Sequence, residues 1–463
     1  METFARIVSN TNTVLWGPWL LVLLAGVHIY MTFRTGFIQR KLGAGIKYSI
    51  TKDTDGKGDI SQFGALTTAL ASTIGTGNII GVSTAIVAGG AGAIFWMWII
   101  GIFGIATKYA ESYIAIKYRV RTKQGTMLGG AMFALERGLK MRWLGAIFAF
   151  LVMIAALGTG DSVQSNAVAS LFYDNFGTPM WIPGLIMTIL TAVALIGGIK
   201  WVTRACEKLV PVMAVLYVAG CIIILIIQRQ YVVPAIAEIV RSAFNASALK
   251  GGAIGFTVRE AIRFGVARGL FSNESGMGTA PIVAAAAQTK NPARQALVSM
   301  TGAFWATVVV CFMSGLVVVS SLLVNPDIDM RDGAVLVNAA FSQIPYLGKI
   351  ILIAGIITFG FSTILGWSYY GEKGAEYLLG QKAIVPYRVV YTIVVFLGCT
   401  IPLQLVWNIA DALNALMVVP NLIAVLFLSN VVSKETKYWL TGNNIELFDT
   451  EQIPLLETLR KKF

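Results

Sequence analysis

Ser72-Thr73-Ile74-Gly75-Thr76-Gly77-Asn78 and Leu270-Phe271-Ser272-Asn273-Glu274-Ser275-Gly276-Met277-Gly278-Thr279-Ala280-Pro281 decide how this chain is read. Each lies in the middle of a stretch, 64–88 and 253–287, long enough to cross a bilayer. Glycine disfavours helix through backbone entropy, and Ser, Thr and Asn side chains compete for the helix's own backbone partners. A backbone group left without a partner cannot face lipid. A helix interrupted at membrane depth must therefore line a polar cavity.

The surroundings confirm the solvent. Of 463 residues, 56% are hydrophobic and 13% charged, against about 25% charged in soluble proteins. Spans are expected near 13–33, 64–88, 92–116, 145–172, 181–199, 208–227, 253–287, 295–324, 347–370, 386–402 and 406–430. With the N-terminus outside, most of the 36 Lys and Arg fall in alternate loops on the other side, and only about four fall in the outer loops. That asymmetry supports an odd number of spans and a cytoplasmic C-terminus. It also explains the net charge of +13 without nucleic acid. The first stretch has its basic residues after it (Arg34, Arg40, Lys41), so it reads as a retained span rather than a secretory signal. The segment 325–346 reads as a re-entrant or surface helix on the outer side. The tail from Ser433 is polar and reads as peripheral. Cys206, Cys221, Cys311 and Cys399 are scattered and read as packing residues. His28 is the only histidine, which argues against a histidine-based metal or acid–base site.

With 13–33 set aside as an extra N-terminal helix, ten spans remain, and the interrupted ones are the first and the sixth. Five is odd, so the halves 64–227 and 253–430 run in opposite senses. The expected fold is an all-α polytopic membrane protein with a 5+5 inverted repeat, two discontinuous helices and about eleven transmembrane helices. This is the LeuT-type plan of secondary transporters. One domain covers the chain, with 431–463 as a cytoplasmic tail.

The breaks carry the chemistry. Glycine lets backbone approach a ligand closely. The half-helix after Gly77 points amide N–H groups and a positive dipole end into the gap, which suits a carboxylate. The half-helix ending near Ile74 points carbonyls into the same gap, which suits a cation or an ammonium group. In the second break, carbonyls at Phe271 or Ser272 can accept from an amine, while Phe271 and Met277 wall the pocket. Glu274 either meets an ion, a proton or the substrate amine, or pairs with a basic residue such as Arg268. On 347–370, Ser362 and Thr363 supply two hard oxygens that, with carbonyls of the first break, suit Na⁺, and Trp367 limits pocket volume. On 145–172, Asn166 can bind the substrate's polar end. Asp161 belongs to an outer gate or pairs with Arg263 or Arg268. Arg259 and Arg263 read as gate or snorkelling residues.

These segments together resemble the alanine/glycine:cation symporter family. The resemblance rests on Gly75-Thr76-Gly77-Asn78-Ile79, on 269–281, and on Gly89-Gly90-Ala91-Gly92-Ala93-Ile94-Phe95-Trp96-Met97-Trp98. Ala91, Ser275 and Thr279 depart mildly from the usual pattern. The resemblance implies symport of alanine or glycine with Na⁺. It also implies an ion site from the carbonyls of Ala71 and Ile74 with Ser362 and Thr363. A second ion site would involve Asn78 and the Thr73 carbonyl. The expected substrate contacts are Thr73, Gly75, Thr76, Gly77, Asn166, Phe271, Ser272, Met277, Thr363 and Trp367. Proton coupling, or an uncoupled channel or sensor using the same pocket, are the rival readings. An enzyme is disfavoured for want of a nucleophile–base pair. The expected setting is a prokaryotic cell membrane, with lipid and a small amino acid as partners. The sequence leaves the oligomeric state open and is compatible with a monomer.

Overall fold

The computed structural model describes residues 2–51, 53, 56–245, 257–330, 332–400 and 403–457. The beginning of the second interrupted span (253–256), the end of span 386–402 and the last residues of the tail lie outside these. Helices come in the order α1 (Glu2–Leu15), α2 (Pro18–Arg34), α3 (Leu42–Ile50), α4 (Gln62–Thr73), α5 (Ile80–Gly89) and α6 (Gly92–Lys117). A short hairpin, β1 (Val120–Arg121) with β2 (Met127–Leu128), precedes α7 (Arg142–Phe176). Then follow α8 (Trp181–Ile196), α9 (Gly198–Ile227), α10 (Arg229–Phe244), α11 (Val258–Asn273) and α12 (Ala280–Ala284). The rest are α13 (Pro292–Val324), α14 (Gly333–Phe341), α15 (Leu347–Leu379), α16 (Ile384–Gly398), α17 (Leu403–Phe427) and α18 (Ser429–Trp439).

Among the described residues, six helices are long and apolar enough to cross a membrane unbroken: α6, α7, α9, α13, α15 and the 408–427 part of α17. The other expected spans are the bent pair α1–α2, the interrupted pairs α4–α5 and α11–α12, and the shorter helices α8 and α16. Large apolar side chains stand exposed along α8 and α9, among them Ile186, Ile189, Val212, Val215 and Ile226. An apolar surface of that extent has no aqueous counterpart, and lipid covers it.

Both interruptions have local causes. Ser61 caps α4, its hydroxyl accepting from the Gly64 amide at 2.9 Å. The helix ends at Thr73, Ile74 and Gly75 are extended, and a single 3₁₀ turn (Thr76–Asn78) leads into α5. Thr257 and Glu260 form a capping box for α11. That helix ends where Glu274 turns left-handed (φ 52°), and Gly276 and Gly278 follow at φ 92° and 76°. A Cβ at Gly278 would also lie 2.6 Å from Asn421 Oδ1. Pro281, in the first turn of α12, restarts the helix.

Close crossings at small residues hold the bundle together. A Cβ on Gly265 would come within 2.4 Å of the Ala93 carbonyl, and one on Gly92 within 2.3 Å of the Ser242 carbonyl. Trp96 Nε1 donates to Ala243 O at 3.1 Å. The Gly89–Trp98 motif is thus a packing seam between α6, α10 and α11.

Three segments differ from expectation. The outer loop 228–252 contains the helix α10, packed on α6 and α13. The expected loop 200–207 is helical, because the chain turns instead at Gly197–Gly198 (Gly198 φ 61°) and α9 starts there. The tail is pinned rather than loose. Asn291 Nδ2 donates to Ile445 O and Leu447 O, and the amide of Asp449 to Lys290 O at 2.8 Å. Buried Arg294 stacks 4.5 Å from the Tyr48 ring, meets Asp53 Oδ2 at 3.4 Å and donates to Glu446 Oε2 at 2.7 Å. Burial presses the Glu446 carboxyl upward, but the Arg294 and Lys290 charges outweigh it and hold it below its ordinary value. A depressed carboxyl stabilises above its unfolded pKa, and that contribution is lost as pH falls through the folded value. Exchange of the Asp449 amide, taken relative to the free-peptide rate at the same pH, should therefore speed up in acid, below the ordinary glutamate range. Arg294→Ala should raise it about tenfold at neutral pH, for ~1.4 kcal/mol of lost docking. Unchanged exchange in the variant would show that the contact carries no energy.

Candidate functional site

The two interruptions meet each other. Asn78 Nδ2 donates to Ser272 Oγ at 2.8 Å and to Ala306 O at 3.3 Å, while Asn78 Oδ1 accepts from the Gly75 amide at 3.1 Å. Ser272 Oγ continues to Thr307 Oγ1 at 3.1 Å and to Cys311 Sγ. Asn78 thereby clips the first break to the second and to α13, with Ser272 on the clip rather than on the cavity wall.

Beside this clip is a cavity of about 20 Å³, room for roughly one water molecule. The first break contributes Ser72, Thr73, Gly75, Gly77 and Asn78, and the second contributes Phe271, Glu274 and Met277. Helix α15 contributes Thr363 and Trp367, α7 contributes Thr159 and Gln164, and α17 contributes Asn414. Gly75 needs to be glycine, since a Cβ would lie 2.8 Å from Thr363 Oγ1 and 3.3 Å from Gln164 Oε1. Gln164 Oε1 accepts from the Thr76 hydroxyl at 3.0 Å and its amide at 3.4 Å.

Where the end of α4 meets α15, the Thr363 hydroxyl joins oxygens of the two helices, while Ser362 Oγ contacts Met213 Sδ of α9 at 3.5 Å. Thr363 Oγ1 lies 2.9 Å from Ala71 O and 2.8 Å from Phe359 O. Ser362 Oγ donates to Phe359 O at 3.0 Å, and Trp367 Nε1 to Ser72 O at 3.3 Å. Ile74, buried, is the first residue out of the helix. Neutral hydroxyl and carbonyl oxygens of this kind are hard donors suited to an alkali cation.

The remaining predicted residues point elsewhere. Helix α7 carries a π turn, Ala156–Ser162. Beyond it Gln164 faces the cavity, and Asn166 turns away to donate to Gly398 O at 2.8 Å. Asp161 is fully buried on the π turn and hydrogen-bonds to neither Arg263 nor Arg268. Arg263 is exposed, its guanidinium 5.4 Å from the Phe264 ring. It lines a groove of about 350 Å³ with Arg268, Asp411 and Trp16. Phe271 lines both this groove and the small cavity and so forms the wall between them. Among the described residues, Glu274 forms no ion pair with a basic residue. Its Oε2 accepts from Thr279 Oγ1 at 2.7 Å.

Sequence reasoning missed a charged pair behind the second break. Lys108 and Glu111 of α6 are buried, with Lys108 Nζ 3.6 Å from Glu111 Oε1. Glu111 Oε2 accepts from the Gly276 amide at 3.1 Å and Asn421 Nδ2 at 2.9 Å, and Asn421 Nδ2 also reaches Gly276 O at 2.8 Å. The signal was legible: two opposite charges three residues apart inside an apolar span face the same way.

A small polar chamber between two interrupted helices, walled from a groove by one aromatic ring and flanked by hard oxygens, defines a secondary transporter. The sequence profile described as the sodium:alanine symporter family matches residues 1–449. The sodium/alanine symporter AgcS of Methanococcus maripaludis is 50% identical over 442 residues, covering 94% of this chain and 97% of that protein. An uncharacterized transporter of Haemophilus influenzae is 47% identical over 456 residues, covering 97% and 99%. The crystal structure of MhsT in complex with L-phenylalanine superposes with a TM-score of 0.52 at 14% identity, over 82% of this chain and 99% of that one. That likeness confirms the LeuT-type fold. The chain belongs to the sodium:alanine symporter family. It is a multi-pass membrane transporter, a sodium-coupled amino-acid symporter, and not an enzyme.

Proposed function

We propose that the protein carries alanine and glycine inward with Na⁺ by alternating access across a cell membrane, N-terminus outside. The observation that carries this reading is the 2.9 Å approach of Thr363 Oγ1 to Ala71 O beside the cavity. An ion there, held by Ala71 and Ile74 carbonyls with the Ser362 and Thr363 hydroxyls, bridges repeat 64–227 to repeat 253–430. Its charge sits next to the substrate carboxylate, which couples the two binding events. The carboxylate takes over donors now used internally, the amides of Gly75 and Thr76 and the Thr76 hydroxyl, with Gly77 letting it approach. The ammonium meets carbonyls of the second break near Phe271. Phe271, Met277 and Trp367 keep the chamber small, which favours a substrate with little or no side chain. The Thr73 carbonyl and Asn78 are the candidates for a second ion. Ser272 acts through Asn78, and Asn166 acts by holding α16. The chamber is complete within one chain, which is compatible with a monomer.

Labelled alanine and glycine uptake into proteoliposomes, under Na⁺ and H⁺ gradients imposed separately, tests the reading. Uptake should follow the Na⁺ gradient, and indifference to it would rule out sodium coupling. Ser362→Ala and Thr363→Ala should each raise the Na⁺ concentration for half-maximal uptake about tenfold or more, since each removes one ligand worth ~1–3 kcal/mol. An unchanged Na⁺ dependence in both would move the ion site elsewhere.

A further inference from the structure

Asp161 is not used by the mechanism above, and its setting is unusual. It is wholly buried, and among the described residues neither carboxyl oxygen has a hydrogen-bond partner. The titratable groups facing it are Tyr387, Tyr391 and Cys399, all from α16 or its end. Their donors are engaged elsewhere. Tyr387 OH donates to Met153 O and Tyr391 OH to Ile364 O, both at 2.8 Å, and Cys399 Sγ contacts the Ser165 and Val395 carbonyls. Charged groups on the other helices packed against the π turn are turned away, Glu372 of α15 to Arg388 and Asp411 of α17 toward Arg268.

A carboxylate with no counter-ion and no donor is not sustained in a dry interior, and a proton is the smallest charge that neutralises it. We propose that Asp161 is a protonation site, occupied in this packing, through which transport senses pH. The π turn that carries it also touches the chamber. Gly160 lies against the root of Trp367, and Thr159 lines the cavity. Tyr391 holds the Ile364 carbonyl, next to Thr363. Loss of the proton leaves a charge that draws water or a cation into the seam between α7 and α16 and displaces Trp367. The alkaline form is therefore the less active one.

The inference rests on the transport reading. Na⁺-driven alanine uptake by wild type and Asp161→Asn is compared across a pH series. Wild-type uptake should fall as pH rises, by up to about tenfold per pH unit on the alkaline limb of a one-proton titration. Asp161→Asn keeps the shape but cannot ionise, so its profile should be flat. Parallel profiles overturn the proposal, as does a variant changed only in its Na⁺ requirement. Should Asp161→Asn not assemble, the Tm of wild type and Asp161→Glu in detergent replaces uptake. Wild type should lose Tm toward alkaline pH with a midpoint that Asp161→Glu shifts, and superimposed curves overturn the proposal. Absence of alanine uptake by wild type at every pH would sink the transport reading, while the Tm series would still decide the proton site.

Discussion

Alanine in place of Glu111 is expected to cost about 3–5 kcal/mol of stability and to abolish transport. The side chain does three things at once: it faces buried Lys108 at 3.6 Å, caps the Gly276 amide and holds Asn421. Its loss leaves the Lys108 ammonium, 2% exposed, without its ion-pair partner. It also frees the left-handed turn that follows Glu274. The cost of breaking such a pair is chiefly that of the stranded charge, so removing both charges should undo much of it. Thermal melting of purified protein checks this. Glu111→Ala should melt well below wild type, and the Lys108→Met, Glu111→Gln double variant should recover most of the loss. A double variant no better than Glu111→Ala would refute the stranded-charge account, because glutamine also keeps an acceptor for the Gly276 amide. Glu111→Ala melting with wild type would refute ion pair and cap alike.

Gly160→Ala is expected to eliminate uptake and to destabilise by about 1–3 kcal/mol, the range for overpacking a filled site. Its Cβ would lie 2.0 Å from Trp367 Cβ and 2.3 Å from Trp367 Cγ. Those atoms are at the root of the side chain, where rotation gives no relief. The π turn and α15 must separate, and the indole that donates to Ser72 O moves with α15. Gly158→Ala is the control, because its Cβ would meet nothing closer than Ala410 Cα at 3.7 Å. Uptake by both variants at equal reconstituted amounts decides the point. If Gly160→Ala transports as Gly158→Ala does, the chamber tolerates movement of Trp367.

The interruptions at 74–78 and 274–279 were legible because glycine and hydroxyl residues clustered at membrane depth disfavour an unbroken helix whatever packs around them. Thr363 beside the first break was legible through the family resemblance, which implies that its hydroxyl meets the Ala71 carbonyl. Asn166 shows where that legibility stops. A regular helix through 145–172 would let the spacing from the cavity-lining residues choose the inward face. The π turn at 156–162 inserts a residue, which rotates the remainder of α7 by about 100°. Gln164 then meets Thr76, and Asn166 meets Gly398. Helix α10 and the pinned tail were hidden for another reason. Their stability comes from partners far away in sequence, as when Asn291 and Arg294 bind the tail at 445–447.

By itself, the sequence determined a lipid-embedded chain of inverted halves, each opened by a broken helix. Hydrophobic length, charge placement and glycine position are local properties, and each span carries its own. Only the tertiary structure decided which polar groups face one another: Asn78 on Ser272, Gln164 on Thr76, Glu111 on Gly276, and Asp161 on no donor among the described residues. In a low-dielectric interior the energy of a polar group is set by the partner it reaches. That partner comes from another helix, whose distance and phase no single span records.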